Sequence, residues 1–113
     1  MLKRNQIIET MYDEKAVIGT KEDLINEVVS LNIGHSFDWW DISGDDVGIV
    51  YCIEKMKWQD SLIVLIGGYG GEIMCASLDD EYNEEVIKRV VNDFFELRYI
   101  HDDELIAIHK VCK

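Results

Sequence analysis

The sequence contains no proline, only three cysteines, and 11 Lys and Arg residues against 23 Asp and Glu residues. The absence of proline excludes proline-rich ligand motifs and linkers. Cys52, Cys75 and Cys112 are widely spaced and form no C-x-x-C pair, which predicts reduced thiols rather than a disulfide framework or a zinc site. No apolar run approaches the roughly 18 residues that a membrane-spanning helix needs.

Length and composition predict a single globular domain over residues 1–113. The chain is 48% hydrophobic, which argues against disorder. The first four residues, MLKR, are followed by Asn5 and Gln6 rather than by an apolar segment. We therefore expect no signal peptide and a cytoplasmic location.

Acidic charge is the most unusual feature, with a formal net charge of −12. No Lys or Arg occurs between Lys21 and Lys55, a span that holds eight acids, or between Lys57 and Lys88, a span that holds seven. Such a field repels nucleic acid and anionic membranes, so neither is expected as a direct partner, and it attracts basic proteins. Solubility alone is the alternative reason for this acidity.

Hydrophobic periodicity predicts two helices in the first third of the chain. The first, over residues 3–15, has a stripe composed of Ile7, Ile8, Met11 and Tyr12. The second covers about residues 21–32, with Thr20 as its N-cap and Asp23 at the capping-box position.

From Phe37 onward the pattern changes to that of strands. Residues 37–42 are rich in aromatic side chains, and residues 47–57 alternate between apolar and polar. Residues 62–66 are continuously apolar, as in a central strand covered on both faces. Residues 73–78 follow a glycine-rich tip and are expected to form the next antiparallel strand. The short turns between these segments predict an antiparallel meander.

The remaining segments complete an α+β prediction. A helix is expected over about residues 84–99, whereas residues 104–111 fit either a strand or a short helix, and we favour the strand. The order α-α-β-β-β-β-α-β predicts a four- to five-stranded antiparallel meander sheet with two N-terminal helices and one C-terminal helix packed on it. The opposite face of the central strand would then need cover from the terminal helices, a self-association surface or a partner.

No segment matches a catalytic or cofactor motif, and no cofactor is expected. Residues 67–71, GGYGG, lack the Lys and Ser/Thr of a phosphate-binding loop and join two strands, which predicts a hairpin tip. A metal-dependent enzyme that uses His35, His101 or His109 with nearby acids is the least favoured alternative, because no ligand spacing matches a known site.

Two segments are candidate contacts for a protein partner. In the Asp-Trp-Trp-Asp segment, strand alternation would allow one tryptophan to enter the core and the other to point outward, or both rings could pack under the helices. The second segment is the acidic run before and within the start of the last helix, part of which is explained by helix-start preference. With Tyr69 at the hairpin tip, the candidate residues are Asp38, Trp39, Trp40, Asp41, Asp45, Asp46, Tyr69, Asp79, Asp80, Glu81, Glu84 and Glu85.

In size, charge and lack of catalytic groups, the chain is similar to the broad group of small acidic inhibitors, which includes immunity proteins against nuclease toxins, anti-restriction proteins and anti-CRISPR proteins. This resemblance implies a non-enzymatic inhibitor that neutralises a basic nucleic-acid-processing protein, with nucleic-acid mimicry as one route. The alternative from another class is a structural or adaptor domain that self-associates as a homo-oligomer through an open apolar sheet face.

Overall fold

The computed structural model describes residues 2–9, 14–43, 46–68, 71, 73–78 and 83–109. Within these residues the chain forms seven strands and two helices. In chain order they are β1 (Ile7–Glu9), β2 (Lys15–Gly19), α1 (Lys21–Ser30), β3 (Ser36–Ser43), β4 (Asp46–Trp58), β5 (Ser61–Gly68), β6 (Ile73–Ser77), α2 (Asn83–Leu97) and β7 (Ile106–His109). Neither described helix is long and apolar enough to cross a membrane.

The strands form one antiparallel sheet in the order β1-β2-β7-β3-β4-β5-β6. Strands β3 to β6 are a meander of consecutive hairpins. Strand β7 enters between β2 and β3, so that Ile108 pairs with Val17 on one side and with Trp39 on the other. The C-terminal strand therefore joins the N-terminal hairpin to the meander.

The predicted fold class is wrong in its number of helices and strands. The described order is β-β-α-β-β-β-β-α-β, with two helices on a seven-stranded sheet, rather than three helices on four to five strands. The helix expected over residues 3–15 is replaced by β1 and β2, and the stripe members Met11 and Tyr12 lie outside the described residues. The broader assignment to α+β agrees loosely with this architecture.

Main-chain pairing explains why the first helix does not form. Ile7 and Ile8 fit a helical stripe, but in β1 they are adjacent strand residues that face opposite sides of the sheet, opposite Val17 and Ala16 respectively. The β-branched residues of β2 favour a strand, and β7 provides a further partner for it. Tertiary pairing thus outweighs a weak local helical pattern.

Both helices pack against the same side of the sheet, which we call the helix face. The apolar stripe of α2 is entirely buried there, and it consists of Val86, Ile87, Val90, Val91, Phe94 and Phe95. Beneath the helices lie alternate residues of the strands, namely Phe37, Trp39, Tyr51, Ile53, Val64, Ile66, Ile106 and Ile108. Each large apolar side chain buried in this way contributes about 1.5–3 kcal/mol relative to exposure.

The opposite side of the sheet, the far face, has a smaller core of its own. Its fully buried members are Ala16, Ile18, Trp40 and Ala107, and the partly buried side chains packed against them are Leu2, Ile8, Ile42, Val50 and Leu105. This core covers the part of the far face formed by β2, β7 and β3. On β4, β5 and β6, the side chains that point to the far face are only partly buried or exposed.

Candidate protein-binding surface

The two tryptophans of β3 lie on opposite sides of the sheet, and both are buried. Trp39 is 0% exposed on the helix face, where its ring stacks on Phe95 with the centroids 5.3 Å apart and lies 4.6 Å from the ring of Tyr51. Trp40 is 1% exposed on the far face, in the same small core as Ala107. Strand alternation separates the two rings, but each is enclosed by its own side of the molecule. Neither ring is accessible to a rigid partner.

Asp38 lies on the far face, where its pairing with Cys52 places it on the edge of the small core. Burial raises the pKa of Asp38, the carboxylate of Glu14 raises it further, and His109 acts in the opposite direction. His109 is also close to Glu14, with 3.9 Å between Nδ1 and Oε2. Asp38 is therefore a half-buried member of a mixed acidic and imidazole cluster.

Asp41 lies on the other side of the sheet, where it pairs with Ile106 of β7. Burial raises the pKa of Asp41, the nearby Glu104 adds to this effect, and Arg98 opposes it. Asp38 and Asp41 thus do not form one acidic flank around an exposed tryptophan.

The other residues expected to contact a partner are only partly described. Glu84 and Glu85 are exposed in the first turn of α2, and among the described residues neither forms an ion pair with Lys88 or Arg89. Asp46 begins β4, and the position of its side chain is not described. The rest lie outside the described residues, namely Asp45, Tyr69, Asp79, Asp80 and Glu81. Their role in partner binding stays a prediction.

A groove of about 750 Å³ lies at the C-terminal end of α2. Its walls come from the last turns of α2, the turn that follows, and the first residue of α1. The side chains that determine its chemistry are Lys21, Phe95, Glu96, Tyr99, Asp102 and Asp103. We call this site the acidic groove, because its described lining combines three carboxylates with one lysine and the imidazole of His101.

The end of α2 fixes Tyr99 in an exposed position. The Ile100 N–H donates to the carbonyl of Phe95 at 2.9 Å, and the Tyr99 N–H donates to the carbonyl of Glu96 at 3.2 Å. Ile100 is 5% exposed, whereas Tyr99 is 90% exposed and has a φ of 58°. Left-handed backbone is uncommon and costly for a residue with a side chain. The buried isoleucine and the two hydrogen bonds therefore hold the tyrosine in a strained conformation that points its ring into solvent.

A closed turn after Tyr99 positions the next carboxylates. The Glu104 N–H donates to the carbonyl of His101 at 3.1 Å, and the Glu104 Oε1 accepts a hydrogen bond from the His101 N–H at 3.2 Å. Asp102 and Asp103 lie between these two residues and are exposed. The turn therefore presents both acids on backbone that is hydrogen-bonded at each end.

The groove keeps excess negative charge after its internal ion pair is counted. The Lys21 Nζ lies 2.8 Å from the Asp102 Oδ1 and 5.9 Å from the centroid of the Phe95 ring. The Lys21 side chain is only 14% exposed, and its ammonium group is already paired with Asp102. Glu96 and Asp103 are exposed and have no ion pair among the described residues. These two carboxylates are available to a cationic partner.

None of the groove's residues was among the contacts expected from the sequence. The last helix was expected to include residue 99, which made Tyr99 a helical residue rather than an exposed cap. The local signal was the run HDD at residues 101–103, which marks a helix break. The approach of Lys21 to this turn depends on how α1 packs beside α2, and hydrophobic periodicity carries no information about that contact.

The three histidines are placed on different parts of the molecule. His101 lines the acidic groove, His109 faces Glu14 on the far face, and His35 is exposed in the turn before β3. Among the described residues, no three His, Cys, Asp or Glu side chains are grouped as metal ligands would be.

No family model, curated protein or solved structure matches the chain.

Proposed function

We propose that the protein is a non-enzymatic inhibitor that binds a basic nucleic-acid-processing protein, with the acidic groove as its principal contact. The observation that carries this proposal is the placement of Glu96 and Asp103, which have no ion pair within the described part of the chain, in one groove with the exposed ring of Tyr99. Charge supplies attraction at this site, and the aromatic ring supplies area that a partner can bury.

The groove suits a lysine or arginine side chain from a partner. Tyrosine is enriched at binding hot spots and loses little conformational entropy on contact. Carboxylates form charge-assisted hydrogen bonds to ammonium and guanidinium groups, and aromatic rings attract cations. The groove already holds the Lys21 ammonium group between Asp102 and the Phe95 ring. Glu96, Asp103 and Tyr99 offer the same combination to an incoming cation.

The charge of the whole chain favours a partner that handles nucleic acid. Such proteins present Lys and Arg to a polymer that carries a negative charge about every 1.7 Å of duplex axis. Carboxylates fixed on a folded surface can occupy that basic site and exclude the nucleic acid. A net charge of −12 also accelerates association with a basic protein, and salt weakens this effect.

Affinity capture with the full chain at low and high salt, followed by identification of the bound proteins, tests the proposal. We expect a basic nucleic-acid-binding protein that is recovered at low salt and released at high salt. The variant Glu96→Gln/Asp103→Asn keeps side-chain size and removes two charges, so it should bind the same protein roughly tenfold more weakly.

The matched control is Glu22→Gln/Glu27→Gln, which removes the same charge from two exposed positions on α1. If the groove is the contact, this control should bind almost as the unmodified chain does. Equal weakening by both variants would indicate a general charge effect and would contradict the assignment to the groove. Recovery of no basic nucleic-acid-binding protein would contradict the proposed function.

A further inference from the structure

Among the described residues, none covers an apolar patch that three adjacent strands form on the far face. Strand alternation and the register of β4, β5 and β6 place its side chains together on the side away from both helices. We call this set the open patch, and its members are Cys52, Glu54, Met56, Trp58, Ile63, Leu65, Ile73 and Cys75.

The open patch is accessible as well as apolar. Trp58 is 58% exposed and Ile73 is 63% exposed, and Leu65 and Ile63 between them are only half-buried. A shallow depression of about 160 Å³ lies among Cys52, Leu65 and Ile73. Contiguous apolar surface of this kind on a sheet is typical of an interaction site.

The described strand residues that point to this side of the sheet include carboxylates and the imidazole of His109, but no lysine or arginine. Glu54 lies within the open patch, and Asp38 adjoins it because it pairs with Cys52 in the register of β3 and β4. Cys52 is adjacent to both acids, because it pairs with Asp38 and lies two residues from Glu54 on the same face of β4, and burial and the two carboxylates raise the pKa of its thiol. Among the described strand residues that point to the far face, none is Lys or Arg, because Lys15, Lys55 and Lys57 alternate to the helix face.

A second copy of the chain is a poor occupant for this surface. In a two-fold symmetric contact the same patch is present on both partners. Glu54 and Asp38 of each copy would then be buried without a basic residue from the other, and burial of an unpaired carboxylate is costly. A partner with Lys or Arg among its apolar side chains has no such cost.

We infer that the open patch binds an amphipathic cationic segment of another protein, with its apolar side chains over Met56, Leu65 and Ile73 and its basic side chains toward Glu54 and Asp38. This site goes beyond the proposed function, because it lies across the sheet from the acidic groove and does not share its residues. The protein then has two separate binding surfaces, one polar and one largely apolar.

A defined peptide tests this inference without a known natural partner. The probe is a labelled amphipathic helix of leucine and lysine, titrated against the full chain by fluorescence anisotropy and by amide chemical shifts. We expect binding with shifts in β4, β5 and β6 and at Asp38 of the adjacent strand β3. Peptides with glutamate in place of lysine, or alanine in place of leucine, should bind this surface at least about tenfold more weakly. The first lacks the positive charges that would face Glu54 and Asp38, and the second lacks the large apolar side chains that would cover the patch.

Matched variants then locate the site. Ile73→Lys, on the edge strand β6, should weaken binding of the leucine–lysine peptide roughly tenfold, and Trp58→Ser, at the exposed end of β4, should do the same. Ile7→Lys is the control, because Ile7 is 64% exposed on the opposite edge strand and points to the helix face. The groove variant Glu96→Gln/Asp103→Asn should leave peptide binding at β4 to β6 unchanged, which separates this test from that of the proposed function.

Three results would overturn the inference. The first is equal binding of the three peptides at these strands, and the second is peptide binding that Ile73→Lys and Trp58→Ser do not alter. The third is a stable homodimer in sedimentation equilibrium that Ile73→Lys dissociates, which would assign the patch to self-association instead.

Discussion

At the scale of single residues, Tyr99 is where strain and exposure coincide. It has a φ of 58° two residues after the end of α2 at Leu97, at a position where helices commonly end with glycine. The left-handed conformation costs a residue with a Cβ about 1–2 kcal/mol. Strained residues of this kind concentrate at functional sites, where the surrounding structure holds them in place.

Replacement Tyr99→Gly should therefore raise the free energy of unfolding by about 1 kcal/mol and at the same time lower affinity for the captured basic protein roughly tenfold. Urea unfolding and a binding titration measure the two effects. The control is Leu97→Gly, which places glycine in the last helical residue and should lower stability by about 1 kcal/mol. A Tyr99→Gly variant that is less stable than the unmodified chain would show that the backbone is unstrained, and unchanged affinity would remove the ring from the contact.

Lys55 is a buried basic residue that binds the C-terminal end of α1. Its Nζ donates to the carbonyl of Val29 at 3.0 Å and to that of Leu31 at 2.9 Å, and the residue is 9% exposed. Burial lowers the pKa of Lys55. The last turn of α1 has no basic residue of its own, so Lys55 supplies the positive charge that favours a helix C-terminus. Lys55 therefore serves mainly to bind the end of α1.

At the scale of elements, the start of α1 depends on one carboxylate. Asp23 Oδ2 accepts from the Thr20 N–H at 2.9 Å, the Asp23 N–H donates to the Thr20 Oγ1 at 3.3 Å, and Arg4 forms two hydrogen bonds to the same carboxylate. A Cβ at Gly19 would lie 2.9 Å from Asp23 Oδ2, so glycine leaves room for this arrangement. The capping box expected from Thr20 and Asp23 is present.

The capping box makes part of the stability dependent on pH. The hydrogen bond from Arg4, with further bonds from Thr20, lowers the pKa of Asp23 from 3.8 to about 2. Because the folded pKa is depressed, this stabilisation is present above pH 3.8 and is lost as the pH falls from 3.8 to about 2.

Replacement Asp23→Ala should lower the free energy of unfolding at neutral pH by about 1–2 kcal/mol, and the difference from the unmodified chain should shrink as the pH falls through that window. Urea unfolding at a series of pH values measures it. Glu22→Ala, an exposed acid in the same turn, should change stability by less than about 0.5 kcal/mol. A difference for Asp23→Ala that stays constant down to the lowest pH would contradict a role for the ionised carboxylate.

Local patterns were sufficient for the elements whose partners are close in sequence. The stripe of α2, the alternation of β4 and the apolar run of β5 each appear at the expected place, since hairpin neighbours and one apolar helix face determine them. The alternation of β3 allowed one of Trp39 and Trp40 to point outward, and packing of both rings under the helices was the alternative, whereas the two rings lie on opposite sides of the sheet and both are buried. Alternation could not show that both sides are covered, because the cover for Trp40 includes Leu2 and Leu105 from distant parts of the chain.

Non-local pairing limited the rest of the prediction. Strands β1 and β2 are short, and their stability depends on β7, which follows them by about ninety residues in the chain. The local apolar pattern that includes Ile7 and Ile8 contains no information about a pairing strand so far away in the sequence. The acidic groove has the same origin, because Lys21 meets Asp102 only when α1 and α2 are packed side by side.

At the scale of the whole molecule, the sheet separates two surfaces of different chemistry. The acidic groove lies at the end of α2 on the helix side, and it carries Tyr99 with two carboxylates, Glu96 and Asp103, that form no ion pair with any described residue. The open patch lies on the far face and is mainly apolar, with Glu54 as its charge. Both surfaces favour cationic partners, in agreement with the net charge of −12.

Competition with nucleic acid tests the central claim most directly. The basic protein captured by the chain is bound to a labelled oligonucleotide, and anisotropy is followed as the acidic protein is added. We predict that the unmodified chain displaces the oligonucleotide and that Glu96→Gln/Asp103→Asn does so roughly tenfold less effectively. An oligonucleotide that stays bound while the acidic protein also binds would contradict inhibition at the nucleic-acid site.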